Sequence, residues 1–181
     1  MIKRIAQWSK REYSLPQRLL ASLAAGVLFA FLLPFTLYRL VPRLDDVLGL
    51  PQLAFGAGNL ILGGVLVVVG LFYAFWSIGD QLFTAKGTPL PVMATQKLLV
   101  SGPFRHCRNP MAFGTMSAYL GISVFAGSIL SILVVLVLSG LLMWYIKRIE
   151  ERELAARFGQ AYLDYKQTTP FLIPRPDRGR G

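Results

Sequence analysis

MAFGTMSAYLGISVFAGSILSILVVLVLSGLLMWYI, residues 111–146, holds no charged side chain and is interrupted only at Gly127-Ser128. A hydrocarbon core is about 30 Å thick, and a helix needs about 20 apolar residues to cross it. The stretch therefore reads as two membrane helices, Met111–Ala126 and Ser128–Ile146, closed into a tight hairpin at the Gly-Ser pair. Working outward from it, two further apolar runs, Leu19–Leu40 and Leu53–Ile78, give four expected transmembrane helices. The nineteen basic and nine acidic residues all avoid the centres of these runs, in a chain that is 54% hydrophobic and only 15% charged. That balance excludes an ordinary soluble domain. The expected fold class is all-α: a polytopic membrane protein of four transmembrane helices followed by a cytoplasmic amphipathic helix.

Basic residues in short connections stay on the cytoplasmic side. Lys3, Arg4, Lys10, Arg11 and Arg18 precede the first span, Lys86, Lys97, Arg105 and Arg108 lie in the second connection, and Lys147 to Arg180 fill the tail. Only Arg39 and Arg43 remain for the other face, where Asp45 and Asp46 offset them. Both termini are thus expected in the cytoplasm, and the first run, long and containing Pro34, is read as a retained span of a bacterial inner-membrane protein rather than a signal peptide. The net charge of +10 then faces anionic headgroups, each residue near the surface gaining about 1 kcal/mol. Basic residues that flank spans form no independent domain, so nucleic acid is not the expected partner. Membrane lipids are. One cysteine, Cys107, and one histidine, His106, exclude an internal disulfide and a multi-Cys or multi-His metal site.

The organisation expected within this single membrane domain is an interfacial N-terminal segment 1–18, spans one and two over 19–78, a cytoplasmic loop 79–110, the hairpin 111–146, and a helix and tail 147–181. Small residues in the first two spans, among them Gly63, Gly64 and Gly70, are expected to let helices approach closely. The loop carries Gly87, Pro89, Pro91, Gly102, Pro103 and Pro110, so no regular helix is expected there, while Leu98, Leu99, Val100 and Phe104 give it something to bury. Trp76, Trp144 and Tyr145 sit where interfacial aromatic belts form. Past the hairpin, Leu154, Phe158, Ala161, Tyr162 and Tyr165 recur at spacings of three and four, which predicts a continued helix with Gly159 weakening it by about 1 kcal/mol relative to alanine.

Two polar clusters flank the hairpin: Ser101-Gly102-Pro103-Phe104-Arg105-His106-Cys107-Arg108-Asn109-Pro110 before it and Lys147-Arg148-Ile149-Glu150-Glu151-Arg152-Glu153 after it. A hairpin brings both to one membrane face. Cys107, between His106 and Arg108, is expected to have some thiolate character.

Leu99-Val100-Ser101-Gly102-Pro103-Phe104, then Arg108-Asn109-Pro110-Met111-Ala112-Phe113-Gly114, then Glu150-Glu151, Leu154, Phe158-Gly159, Tyr162, Tyr165 and Pro170 resemble the isoprenylcysteine carboxyl methyltransferase family and its phospholipid methyltransferase relatives. The resemblance covers roughly Gly87 to Pro174. It implies an S-adenosylmethionine-dependent methyltransferase whose acceptor is a lipophilic small molecule drawn from the bilayer. By position it assigns cofactor contacts to Gln96, Lys97, Leu98, Leu99, Phe104, Asn109, Pro110, Met111, Ala112 and Glu150, and reaction roles to Arg108, Glu150 and Glu151. Asn109 stands where the family has a histidine, Phe104 and Ala112 where it has tyrosines, and Ile146 where the prenylcysteine enzymes have a substrate-linked arginine. Two other classes share parts of the pattern: membrane reductases of the sterol type, which use NADPH, and a non-catalytic binding module of the same fold.

Overall fold

The computed structural model describes residues 14–88 and 95–176, with the side chains of Ala24 and Ala25 also outside the description. Residues 1–13 of the expected interfacial segment therefore lie outside the described residues. All described regular structure is helical. We number the helices α1 (Leu15–Leu48), α2 (Ala57–Thr84), α3 (Pro110–Phe125), α4 (Ile129–Phe158) and α5 (Gln160–Thr168).

Of these, α1, α2 and α4 are long and apolar enough to cross a membrane. Helix α3 has 16 residues and extends about 24 Å at 1.5 Å per residue. The surface is inverted relative to a water-soluble protein: Leu20, Phe31, Ile61, Val137 and Leu141 are exposed, whereas Ser77, Ser123, Ser128, Ser131 and Ser139 are buried. Helices α1 and α2 run past the ends of their apolar runs, to Leu48 and Thr84 rather than Leu40 and Ile78. Polar residues in a final turn do not stop a helix whose end is capped. Gly49 caps α1 in a left-handed conformation, and the Ala85 and Gly87 N–H groups bond back to the Asp80 and Gln81 carbonyls of α2.

The chain divides into two compact units: one of residues 1–25, 73–113 and 145–181, the other of residues 26–72 and 114–144. In the second unit, glycines set the packing of α2 on α3. A Cβ on Gly121 would stand 2.6 Å from the Gly63 carbonyl oxygen and 2.8 Å from the Val67 nitrogen, and one on Gly70 would overlap the Ala118 backbone. Backbone meets backbone there, as small residues permit in lipid.

Prolines explain the irregularity of α1 in the same unit. Around them the helix widens to π turns, Leu28–Leu32 and Thr36–Leu40, in which Leu33 N–H bonds to the Leu28 carbonyl and Val41 N–H to the Thr36 carbonyl. In that i→i+5 register the next donors are Pro34 and Pro42, which have no N–H. The carbonyls so deprived are Phe29 and Leu37. Each accepts a hydroxyl from another helix: Tyr119 of α3 at 2.7 Å and Ser131 of α4 at 2.8 Å. Lipid offers no substitute donor for an orphaned carbonyl.

The turn between α3 and α4 falls where the sequence predicts it. Gly127 adopts φ +62° and the Ser128 hydroxyl accepts the Ser131 N–H at 2.9 Å. The buried Asp45 carboxylate accepts the Leu130 N–H at 3.1 Å, a negative group on the N-terminal end of α4. Asn59 joins the loop before α2 to the last turn of α3, donating to the carbonyls of Leu53 at 2.7 Å and Val124 at 2.9 Å.

Candidate active site

All the residues singled out in the loop and after the hairpin belong to the first unit. The loop leaves α2 through Ala85 and returns at Thr95 and Gln96. Gln96 N–H donates to the Ala85 carbonyl at 2.7 Å, and the Arg157 guanidinium donates to the Thr95 carbonyl. Lys97 is exposed, Leu98 half-buried, and Leu99 buried as an anchor. Gly102 follows at φ +57°, a left-handed conformation that favours glycine, and a Cβ there would also push the Asp80 carboxylate aside. The 3-10 turn Gly102–Arg105 then buries Pro103 completely.

Cys107 corrects one expectation. Its thiol is fully buried, and burial pushes its pKa up to about 11, against a smaller pull from the Asn109 backbone. Its charged neighbours turn away. His106 Nδ1 donates to the Arg175 carbonyl at 2.9 Å, leaving Nε2 to accept from Arg105 Nε at 3.3 Å. Trp76, expected in an interfacial belt, is half-buried with its ring 6.0 Å from that of His106. Trp144 and Tyr145 are exposed.

Arg108 and Asn109 are bound to the C-terminal strap. Arg108 N–H donates to the Pro170 carbonyl at 2.8 Å and its Nε to the Thr169 carbonyl at 3.1 Å. Asn109 donates to the Phe171 carbonyl at 2.8 Å, which leaves its amide oxygen uncommitted among the described residues. Pro110 opens α3, a position where its missing N–H costs nothing. Met111 sulfur lies 4.0 Å from Gln81 Nε2, and Ala112 is buried.

The second cluster sits on α4 where the helix again widens. Glu151 N–H bonds to the Ile146 carbonyl across a π turn over Ile146–Glu150. Such single π turns occur frequently at functional sites. Ile146 is buried and Lys147 lies over the Phe171 ring, 4.6 Å from its centroid. Glu151 is 6% exposed, with Oε1 paired to Arg108 and Oε2 held by Lys166 at 2.7 Å. The loop and the helix after the hairpin thus meet through an ion pair between residues forty-three positions apart. Glu150, one residue earlier, is half-buried, and no described residue forms a hydrogen bond or ion pair with it.

Helix α4 ends at Phe158. Gly159 takes φ +56° and ψ −132°, a conformation essentially reserved for glycine, so the expected continuous helix is broken there rather than merely weakened. The break turns α5 so that Tyr162 and Tyr165 are buried. Tyr165 OH donates to the Phe104 carbonyl at 2.6 Å. Burial, helped by the Glu151 charge, pushes Tyr162 up to about 12 despite the opposing pull of Arg108. Burial also raises Tyr165. Lys166 and Phe171 escaped the sequence reading. Lys166 follows Tyr162 by four positions and so shares its helix face, which was the available signal.

Described residues that are all helical, with three helices long and apolar enough to span a bilayer and an apolar exposed surface, fit an integral membrane protein. The phospholipid methyltransferase family model matches residues 58–161, more than half of the 181 residues. The chain belongs to that family and is by membership a membrane methyltransferase. Among curated proteins and among solved structures nothing matches it.

Proposed function

We propose that this chain transfers a methyl group from S-adenosylmethionine to a lipophilic acceptor, a carboxylate or amine carried by a membrane lipid or a prenylated compound. The observation that carries the reading is the contrast within the glutamate pair. Glu151 is committed at both oxygens, whereas Glu150 is a half-buried carboxylate with no described partner. A carboxylate withdrawn from water is costly unless a cation meets it. The cofactor's α-ammonium group is such a cation, so Glu150 fits it through a charge-assisted hydrogen bond.

When bound, S-adenosylmethionine supplies an electrophilic methyl group on a sulfonium. The chain's own residues would hold and seclude it. Gln96, Lys97, Leu98, Leu99, Phe104, Pro110, Met111 and Ala112 would form the surrounding wall, and the free amide oxygen of Asn109 could accept from it. The buried Leu99, Ala112 and Tyr162 exclude water, which such a displacement requires more than it requires acid–base groups. Arg108, Glu151 and Lys166 fix the strap and loop against each other. A carboxylate acceptor makes the smaller demand on this site, because it needs no base.

The basic residues support a topology of four spans with both termini in the cytoplasm of a bacterial inner membrane. Local bilayer thinning accommodates a span as short as α3. Calorimetric titration of the detergent-purified protein with S-adenosylmethionine should give saturable heats that Glu150→Ala abolishes. Flat heats from the unmodified protein would remove the proposal. Mass spectrometry of lipids and hydrophobic acids after incubation with isotopically labelled methyl donor would identify the acceptor.

A further inference from the structure

The cations of the first unit differ in how their charge is met. Arg108 and Lys166 share Glu151, and Arg157 pairs with Glu153 at 3.3 Å. Arg18 has no carboxylate partner among the described residues, yet it is 7% exposed. One arm of its guanidinium donates to the Leu82 carbonyl, and its buried Nε has no acceptor among the described residues. Leu82 lies in the last turn of α2, whose C-terminal end supplies about half a unit of negative charge. That meets the cation only in part. A buried arginine with an unused face of its fork is an incomplete site, and the planar fork suits a phosphate oxygen pair.

Position and surroundings say what completes it. Arg18 is in the first turn of α1 and Leu82 in the last turn of α2, the ends of two helices long and apolar enough to span a bilayer. Headgroups lie at that level. Around it Leu15, Leu19, Leu20 and Leu23 on α1 and Phe83 on α2 are exposed, an apolar surface that serves acyl chains and not a free ion. We infer that Arg18 binds the phosphate of a membrane phospholipid, in the same compact unit as the methyl-transfer centre proposed above and whether or not that lipid is the acceptor.

The test uses full-length protein in uncharged detergent at roughly 0.5 M salt, where the screening length has shrunk to a few ångström and loose attraction to the basic surface is suppressed. Phosphatidylglycerol should raise the melting temperature, while diacylglycerol of the same chains and inorganic phosphate should not. Arg18→Met should lose at least two-thirds of that rise, and Arg148→Gln, at an exposed position, should keep it. Should Arg18→Met fail to fold, Arg18→Lys keeps the charge without the fork and should lose at least half of the rise. An equal rise with diacylglycerol, a rise with inorganic phosphate alone, or a full rise in the Arg18 variants would each overturn the assignment. Heats of S-adenosylmethionine binding should be the same in all these proteins, so failure here is distinguishable from failure of the methyltransferase reading.

Discussion

The two units solve one problem, polar groups kept from water, with different chemistry. Residues 26–72 and 114–144 rely mainly on neutral pairs, with the Asp45 carboxylate on the Leu130 N–H as the exception: a tyrosine and a serine hydroxyl on the carbonyls that Pro34 and Pro42 deprive of donors, with glycines where helices touch. The unit that contains Arg108 and Glu151 uses charges: Arg108 meets a carboxylate and a carbonyl, Lys166 the same carboxylate, and Lys147 an aromatic face. Neutral pairs are satisfied within the unit and ask nothing of a ligand. Paired charges, once paired, make any unpaired one conspicuous. The lesson is that Glu150 and Arg18 stand out because they combine withdrawal from water with a charge that the described residues do not fully meet.

The largest expected effect tests the neutral half. Gly121→Val would drive its side chain into the Gly63 carbonyl and the Val67 backbone, which cannot yield as a flexible side chain would. A cost above about 3 kcal/mol is expected, enough to abolish a monodisperse peak in size-exclusion chromatography. A well-behaved valine variant would show that this helix pair is not packed backbone to backbone.

Next comes the charged half. Arg108→Met leaves Glu151 buried with only Lys166, and breaking a buried pair costs about 3–5 kcal/mol. The expected readout is a large fall in melting temperature. Adding Glu151→Met should recover most of it, since an apolar pair is often no worse than an ionic one. If the double variant is as unstable as the single one, the pair does more than balance charge.

Glu150→Gln should separate binding from stability. With no described partner to lose, and a carboxylate withdrawn from water replaced by a neutral amide, its melting temperature should not fall. Affinity for S-adenosylmethionine should fall about thirtyfold, the equivalent of roughly 2 kcal/mol for a hydrogen bond between charged groups. A fall in stability with unchanged affinity would make Glu150 structural.

How much of this could be read from residues alone follows the same division. The apolar runs, the Gly127-Ser128 turn and the meeting of the loop with the Glu-Glu pair were legible, because membrane crossing and hairpin closure depend on composition and local turn chemistry. The partners of individual charges were not. Glu151 finds Lys166 only because Gly159 breaks the helix between them, and glycine at a helical spacing signals weakness without specifying a turn. Cys107 looked activated because it stands between His106 and Arg108 in the chain. Those side chains are spent on Arg175, Thr169 and Glu151, and the thiol is left in an apolar interior. The π turns could have been anticipated from Pro34 and Pro42, but the donors that repair them come from distant helices.

The smallest expected effect is the most discriminating for the neutral half. Tyr119→Phe removes the donor to the Phe29 carbonyl and should cost about 1 kcal/mol, in line with interhelical hydrogen bonds measured in membranes. Pro34→Ala restores an N–H that can reach that carbonyl or, in α register, the Ala30 carbonyl. In the Pro34→Ala background the tyrosine hydroxyl is no longer the sole remedy, so Tyr119→Phe should cost less than half as much. A double-mutant cycle in melting free energy measures the coupling directly. Strict additivity would mean that proline does not create the vacancy the tyrosine fills, and the neutral pairs would then be ordinary packing contacts, no different in kind from the serine back-bonds elsewhere in these helices.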